Sequence, residues 1–467
     1  MSDGSCLRRR KGGHHIEPET DLTRWRLNTV DGQQKWYYMV ESGECAREQN
    51  ALEAYTLGLD TSKFFPDLPK ASTAEEALWK GIKFLCRLQE DGQWPAECSG
   101  ILIFTPILLF ACHVAKISLP EEVKKEILRY ICSKQLPDGG WGLHLHNPST
   151  VLGTTFNYIA LRILGLGPDH PDIVRARINL HKKGGAVRIP SFGKIWLAIL
   201  NMYSWDGINA QFPEFWILPT WVPGHPYSYW CYTRHVSLAL TYCYATRLTV
   251  EEDELIQSLR QEIYVEDFSS INWPAQKNNI AAGDLYAPHT WMLNAIYAVF
   301  NFYERYHITS LRKKAIAEMY EQIKADDIFT DFCNTGPYCK SLHILICWHV
   351  EGPNSPTLQK HISRIFDYLW LGKDGMLMQA IGTQTWNTSF VIQSFLEAGI
   401  HNNPDYASCL KKAHTFLKCV QIVDNPPNYE RYYRHMNKGG FPASYRDHNW
   451  IVSDCTAEAL RTLMLAP

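Results

Sequence analysis

"KGIKFLCRLQEDGQW", Lys80 to Trp94, decides the fold. Ala77, Leu78, Ile82, Leu85 and Leu88 fall at helical spacing, and Thr73 stands where a cap belongs, so a helix is predicted over 73–89. Gln89 closes it, Asp91-Gly92 makes a turn, and Trp94 follows. "QLPDGGW", Gln135 to Trp141, repeats the Gln, the Asp-Gly and the Trp after a second helical run, and Trp94 and Trp141 stand 47 residues apart. That spacing is a helical-hairpin period. The Gln amide satisfies backbone groups at a helix end, Asp-Gly turns the chain, and Trp plugs the gap between neighbouring hairpins. "KKAHTFLKCVQ" (411–421) followed by "KGGF" (438–441) reads as a degenerate third copy. Long alternation of β-branched residues is absent, so the expected class is all-α.

The helices after these turns share a second register. "TFNYIALRILG" (155–165) and "SFVIQSFLEAG" (389–399) match: hydroxyl, Phe, a small residue five on, Gly ten on. Aligned by its Ala-Leu, "DCTAEALRTLM" (454–464) puts Asp454 where Thr155 and Ser389 stand. Repeated hairpins with inner and outer layers close into an α/α toroid, whose inner-helix N-termini ring a central cavity. Asp454 is therefore expected to face a pocket rather than bulk solvent.

Composition narrows the function classes. Hydrophobic residues are 46% of the 467, so the bulk of the chain can bury a core. A net charge of −2 gives no electrostatic argument for nucleic acid. The 16 Trp, 24 Tyr and 19 Phe imply that aromatic rings line a core or an apolar cavity. The 14 Cys show no CxxC and no framework spacing, which fits buried thiols in a reducing compartment. "GILIFTPILLFACHVAKI" (100–117) is interrupted by Pro106 and includes His113, so a buried helix is expected rather than a membrane span. "LRRRK" (7–11) reads as a solvated tail, or as contact with an anionic membrane surface.

"WIVSDCTAE" (450–458), together with the Gln…Asp-Gly…Trp (QW-type) repeats, resembles the 2,3-oxidosqualene cyclases, closest to lanosterol synthases of animals. "TDLTRWRL" (20–27), "AREQN" (46–50), "LPDGGWGLH" (136–144) and "IYVEDFSSINW" (263–273) extend the likeness along the chain. The resemblance implies two α/α barrels, one inserted into the other, with an apolar cavity between them. It implies a lipid substrate, (S)-2,3-epoxysqualene, and an isomerase-type reaction (an intramolecular transferase) that forms lanosterol or a related triterpene. It implies no metal, no redox cofactor and no nucleic acid. It places the protein as a monotopic partner of the endoplasmic reticulum membrane, on the cytoplasmic face, with the lipid droplet as a second site.

Site roles follow by the same resemblance. Asp454 matches the acid that protonates the epoxide, and Cys455 the thiol that hydrogen-bonds it. Burial would keep the acid protonated at rest. Trp386, Tyr232 and Trp230 match positions where aromatic faces stabilise cations, at about 0.5–2 kcal/mol per contact. Thr233 and Ser237 match the constriction of the substrate channel. The Trp/Pro-rich "QFPEFWILPTWVPGHP" (211–226) reads as a rigid surface loop.

Several cavity positions depart from the sterol-forming pattern. Tyr232 stands where those cyclases have His, Ala443 where the animal enzymes have Phe, Cys98 for Tyr, and Phe192 for Trp. Thr233 and Ser237 replace Cys and Tyr, and Asn387 follows Trp386 where Asp is usual. These changes put lanosterol as the product in doubt, while the cyclase class stands. The expected domains are an N-terminal arm (1–72), an inserted barrel (73–370), and the first part of a second, incomplete barrel (371–467). The chain ends one helix past Asp454, and a truncated cyclase is the expectation. Two other readings stay open: an inactive lipid-binding or interaction fragment of the same fold, and a protein prenyltransferase subunit. The latter would need a zinc site that no spacing here supplies.

Overall fold

The computed structural model describes residues 15–40, 47–66 and 70–465. The basic stretch 7–11 lies outside them. Helices dominate, as the repeats require: α1 Ala51–Leu57, α2 Ala74–Leu88, α3 Phe104–Val114, α4 Glu121–Ser133, α5 Val151–Ile163 and α6 Pro171–Lys182. Next come α7 Ser191–Ile199, α8 Cys231–Thr246, α9 Glu254–Ile263, α10 Trp291–Tyr306, α11 Thr309–Phe329 and α12 Pro337–Glu351. The series ends with α13 Pro356–Ser363, α14 Gln384–Glu397, α15 Ala407–Val420 and α16 Ser453–Leu465. The helical hairpins are those of an α/α toroid.

Two antiparallel hairpins were not foreseen: β1 (Trp25–Val30) with β2 (Gln33–Tyr38), and β3 (Leu369–Gly372) with β4 (Gly375–Met378). The first turns at Asp31-Gly32, where both residues have positive φ, as a two-residue hairpin loop demands.

Contacts group the chain into two units. The first comprises Gly100–Ala325 and Tyr338–Ile362; the second comprises Glu17–Ser99, Asp326–Pro337 and the residues from Ser363 on. In sequence, the first unit thus interrupts the second. Residues 17–72, expected as a separate arm, group with the residues from 363 on.

In the first unit, α3 is apolar all round and almost wholly buried, with Ile107, Leu108 and Phe110 fully so. Pro106 sits in its first turn, where a missing N–H costs nothing. Among the described residues no helix is long and apolar enough to cross a membrane. Helix α5 is buried along its length, and Thr155 and Phe156 are fully enclosed. The buried Asp284 carboxylate accepts from Val151 N (2.7 Å) and Leu152 N (3.0 Å), closing the orphan donors at the start of α5.

The repeat turns share one bonding scheme. Trp141 Nε1 donates to Ile131 O (2.9 Å) and Trp94 Nε1 to Leu85 O (2.7 Å), so each indole satisfies the last turn of its own helix. Each Gln reaches instead to the start of a neighbouring helix: Gln135 Nε2 to Asp172 O (2.8 Å) on α6, and Gln89 Nε2 to Cys409 O (3.0 Å) on α15. Gly139 (φ +86°) and Gly92 (φ +78°) lie flat against the carbonyls of Arg175 and Lys412. A side chain has no room there. In the third copy Gln421 Nε2 donates to Gly439 O (2.8 Å), Ile422 N to Gly440 O (3.0 Å), and the fully buried Phe441 takes the place of Trp.

Candidate active site

Trp386, Asn387, Ala443, Asp454 and Cys455 come together in the second unit, around the first turns of α14 and α16. Thr385 N donates to Ala443 O (3.1 Å), and Thr385 Oγ1 to Ser444 O (2.6 Å). Phe441 N donates to Thr456 Oγ1 (2.9 Å), and Val452 N to Phe441 O (3.0 Å). The short segment 441–444 therefore ties the Trp386 end of α14 to the Asp454 end of α16. Trp386 is half-buried and meets Phe390 edge-on at 4.7 Å. Asn387 Nδ2 donates to Trp94 O (3.1 Å), and Cys98 is held by Gln379 Oε1 (2.9 Å to its N) and by Ala380 N (3.0 Å to its O).

Asp454 and Cys455 open α16. Cys455 N donates to Asp454 Oδ1 (2.8 Å). The Cys455 thiol is 3% exposed, and burial, reinforced by the hydrogen-bonded Asp454 carboxylate, pushes it up to about 12. Asp454 and Cys455 are thus neighbours at the head of α16, and the expected enclosure of Asp454 is not found. Asp454 is exposed, whereas Thr155 and Ser389, its expected equivalents, are fully buried. The cause is one-sided packing. Helix α16 presents Cys455, Ala459 and Thr462 to its neighbours, with Thr462 Oγ1 donating to Ser389 O (3.2 Å) on α14. Asp454, Ala457, Leu460, Arg461, Met464 and Leu465 form the opposite, exposed face.

The loop that delivers Asp454 is firmly anchored. Asn449 O accepts from Arg434 Nη1 (2.9 Å) and Asn437 Nδ2 (2.7 Å), and Asn449 Nδ2 donates to Phe329 O (2.8 Å). Arg434 pairs with Asp326 at 2.9 Å, both side chains 1% exposed, and its guanidinium lies 3.9 Å from the Trp450 ring centroid. His448 Nε2 is 3.1 Å from Thr335 O, and Tyr445 OH donates to Asp367 Oδ2 (2.7 Å). Sequence reasoning missed these residues. Arg434 and Asp326 are 108 positions apart, and no local pattern announces them.

The other candidates belong to the first unit. Trp230 precedes α8, is 69% exposed, and packs on Tyr232 at 4.8 Å. Tyr232 and Ser237 are half-buried, and Thr233 is exposed. Arg234 Nη1 donates to Tyr229 O (3.0 Å), fixing the preceding loop to α8. Segment 211–226 is a loop with one 3-10 turn, Pro213–Ile217, and a second, Pro226–Ser228, at its end; Glu214, Trp216 and His225 are buried, and Trp221 is 81% exposed. Phe192 sits in an aromatic cluster, 4.7 Å from Tyr338 and 6.2 Å from Phe156. Trp196 Nε1 donates to Tyr338 OH (2.7 Å) in the same cluster, so these rings build core.

The Squalene-hopene cyclase N-terminal domain matches residues 80–370. The chain belongs to this family. Over all 467 residues it is 56% identical to the lanosterol synthase of Mus musculus and 56% identical to that of Homo sapiens. It is 41% identical to the lanosterol synthase of Pneumocystis carinii over 96% of its own length. It spans 64% of the mouse and human relatives and 63% of the Pneumocystis one. The match of the cyclase family begins at Lys80, the first residue of the repeat segment that fixed the fold.

Proposed function

We propose that this chain is part of an oxidosqualene cyclase, an isomerase of sterol or triterpenoid biosynthesis that converts (S)-2,3-epoxysqualene to lanosterol or a related triterpene. One observation carries the reading: 56% identity to lanosterol synthases along the whole chain, with a hydrogen-bonded Asp454–Cys455 pair at the head of α16. The Asp454 carboxyl protonates the epoxide oxygen, the C–O bond opens, and the alkene chain closes onto the cation. The Cys455 thiol donates to the carboxylate left behind, which stabilises the conjugate base. Trp386, Tyr232 and Trp230 offer ring faces to the moving charge. Thr233 and Ser237 line the substrate's way in. Cys98, Phe192 and Ala443 shape the product, since a missing ring lets a cation dwell or lose its proton elsewhere.

The substrate is insoluble in water, and the protein collects it at a membrane without spanning it. Trp221, Tyr227 and Trp230 are exposed beside α8. Helix α10 turns Trp291, Val299, Phe302 and Tyr306 outward on one stripe, while Phe300 and Tyr303 pack on Phe212. Amphipathic aromatic surface of this kind suits the headgroup region of a bilayer. The endoplasmic reticulum, cytoplasmic face, is the proposed site, and the lipid droplet a second one.

The exposure of Asp454 favours a second reading for this chain by itself: lipid binding without turnover. Incubation with 2,3-oxidosqualene in phosphatidylcholine vesicles, followed by mass spectrometry, separates the two. Cyclic triterpene from wild type that disappears in Asp454→Asn supports the cyclase. Vesicle-dependent ligand binding with no product supports the second reading. Equal product from the variant ends the proton-donor assignment.

A further inference from the structure

Helices α2 and α15 meet at the first repeat turn, and two thiols face each other there. Cys86 lies three residues before Gln89, whose amide holds the Cys409 carbonyl at 3.0 Å. The Cys86 and Cys409 side chains are themselves hydrogen-bonded. Both are half-buried, and neither is in a disulfide. They line an open groove of about 410 Å³ together with Lys83, Arg87, Asp405 and Lys412, so small solutes reach them.

The repeat architecture does not call for this pairing. In the second copy Cys132 stands where Cys86 does, but the partner position is Asp172, which pairs with Arg175 at 2.7 Å. The groove is cationic on balance, a setting that favours thiolate chemistry. The hydrogen bond from Cys86 holds Cys409 below the usual thiol range, and Lys412 assists against the opposing effect of burial. As the donor, Cys86 is pushed up. One sulfur is thus prepared to attack, and the other waits beside it.

We propose that Cys86 and Cys409 are a redox-active pair that closes into a disulfide, joining α2 to α15, on contact with a small-molecule disulfide. The Cys409 thiolate attacks one sulfur of glutathione disulfide, the S–S bond breaks, and one glutathione thiolate leaves. The hydrogen bond that restrained Cys86 is then gone. Cys86 gives its proton to solvent, attacks the Cys409 sulfur, and expels the second glutathione. Two protein thiols are oxidised and one glutathione disulfide is reduced to two thiols.

The full chain, treated with glutathione disulfide and then N-ethylmaleimide, is digested without reductant and analysed by mass spectrometry. The expected result is a Cys86–Cys409 linked peptide, a loss of two alkylatable thiols, and full reversal by dithiothreitol. Closure proceeds at least about tenfold faster than any reaction of the enclosed Cys112 or Cys243. C86S stops at a glutathione adduct on Cys409, and C419S leaves the linkage intact. The proposal is overturned if the wild type keeps Cys86 and Cys409 alkylatable while the exposed Cys419 has reacted. A lasting glutathione adduct on wild-type Cys409 overturns it as well. These readouts need no catalytic turnover, so they stand apart from the cyclase reading.

Discussion

Gly139→Ala tests the repeat scheme at its tightest point. Gly139 has φ +86°, and a Cβ there would stand 2.5 Å from the carbonyl oxygen and 2.8 Å from the carbonyl carbon of Arg175. Both atoms are helix backbone, so neither can swing aside. The left-handed conformation costs alanine about 1–2 kcal/mol. Overpacking against rigid atoms adds about 1–3 kcal/mol. Reduced freedom of the unfolded chain returns about 0.4–1 kcal/mol, whatever the crowding in the folded state. The net loss is about 2–4 kcal/mol, a large part of an ordinary domain's stability. Gly165 is the control: its φ is +99°, with nothing within 4 Å of the added atom. Gly165→Ala therefore bears the conformational cost alone, about 1 kcal/mol. Urea unfolding, followed by Trp fluorescence and circular dichroism, measures both. If the two variants agree within about 0.5 kcal/mol, close packing of the turn onto α6 is not what holds the repeat together.

Two further perturbations have defined signs. His448 is enclosed, and burial lowers it to about 4, so the folded state binds a proton later than the unfolded one. Its stabilising contribution is complete above about pH 6.5 and drains as the pH falls towards 4, by up to about 3 kcal/mol. His448→Gln should flatten that part of the stability–pH curve measured by urea titration at several pH values. Asp284→Asn removes the anionic cap of α5, 133 residues away in sequence, and should cost about 1–2 kcal/mol by the same assay. A loss under about 0.3 kcal/mol would show that the helix start does not depend on it.

The sequence was most informative where one short pattern does a local job. Gln, Asp-Gly and Trp were read as helix end, turn and plug, and the bonds of Trp94, Trp141 and Gly139 show those jobs being done. The Gln side chain went further than expected, to the next helix, because the bond that positions it is between repeats. The β1–β2 hairpin has a local signal in Asp31-Gly32, a two-residue turn pair, although its strands lack the long alternation that marks a sheet. Asp284 on α5 and the Arg434–Asp326 pair could not be read at all. Each joins distant segments through a buried charge, and nothing nearby marks either partner.

Asp454 shows why helix register alone does not decide burial. Thr155 and Ser389 stand in the second turns of α5 and α14, whereas Asp454 stands in the first turn of α16, and a first-turn side chain is enclosed only by what packs against it. Epoxide protonation needs a carboxyl that is neutral at rest, and low-dielectric cover is the means of keeping it so. On α16 the uncovered face carries Leu460, Met464 and Leu465 along with Asp454, and Met464 is 84% exposed. Covering three such side chains yields about 1–3 kcal/mol each. Apolar cover of that one face therefore holds itself in place. This chain spans 64% of the length of the mouse and human relatives. The proposed proton donation by Asp454 requires closure of the α16 face. A covering segment that buried the leucines but left Asp454 wet would give a stable protein and no cyclase.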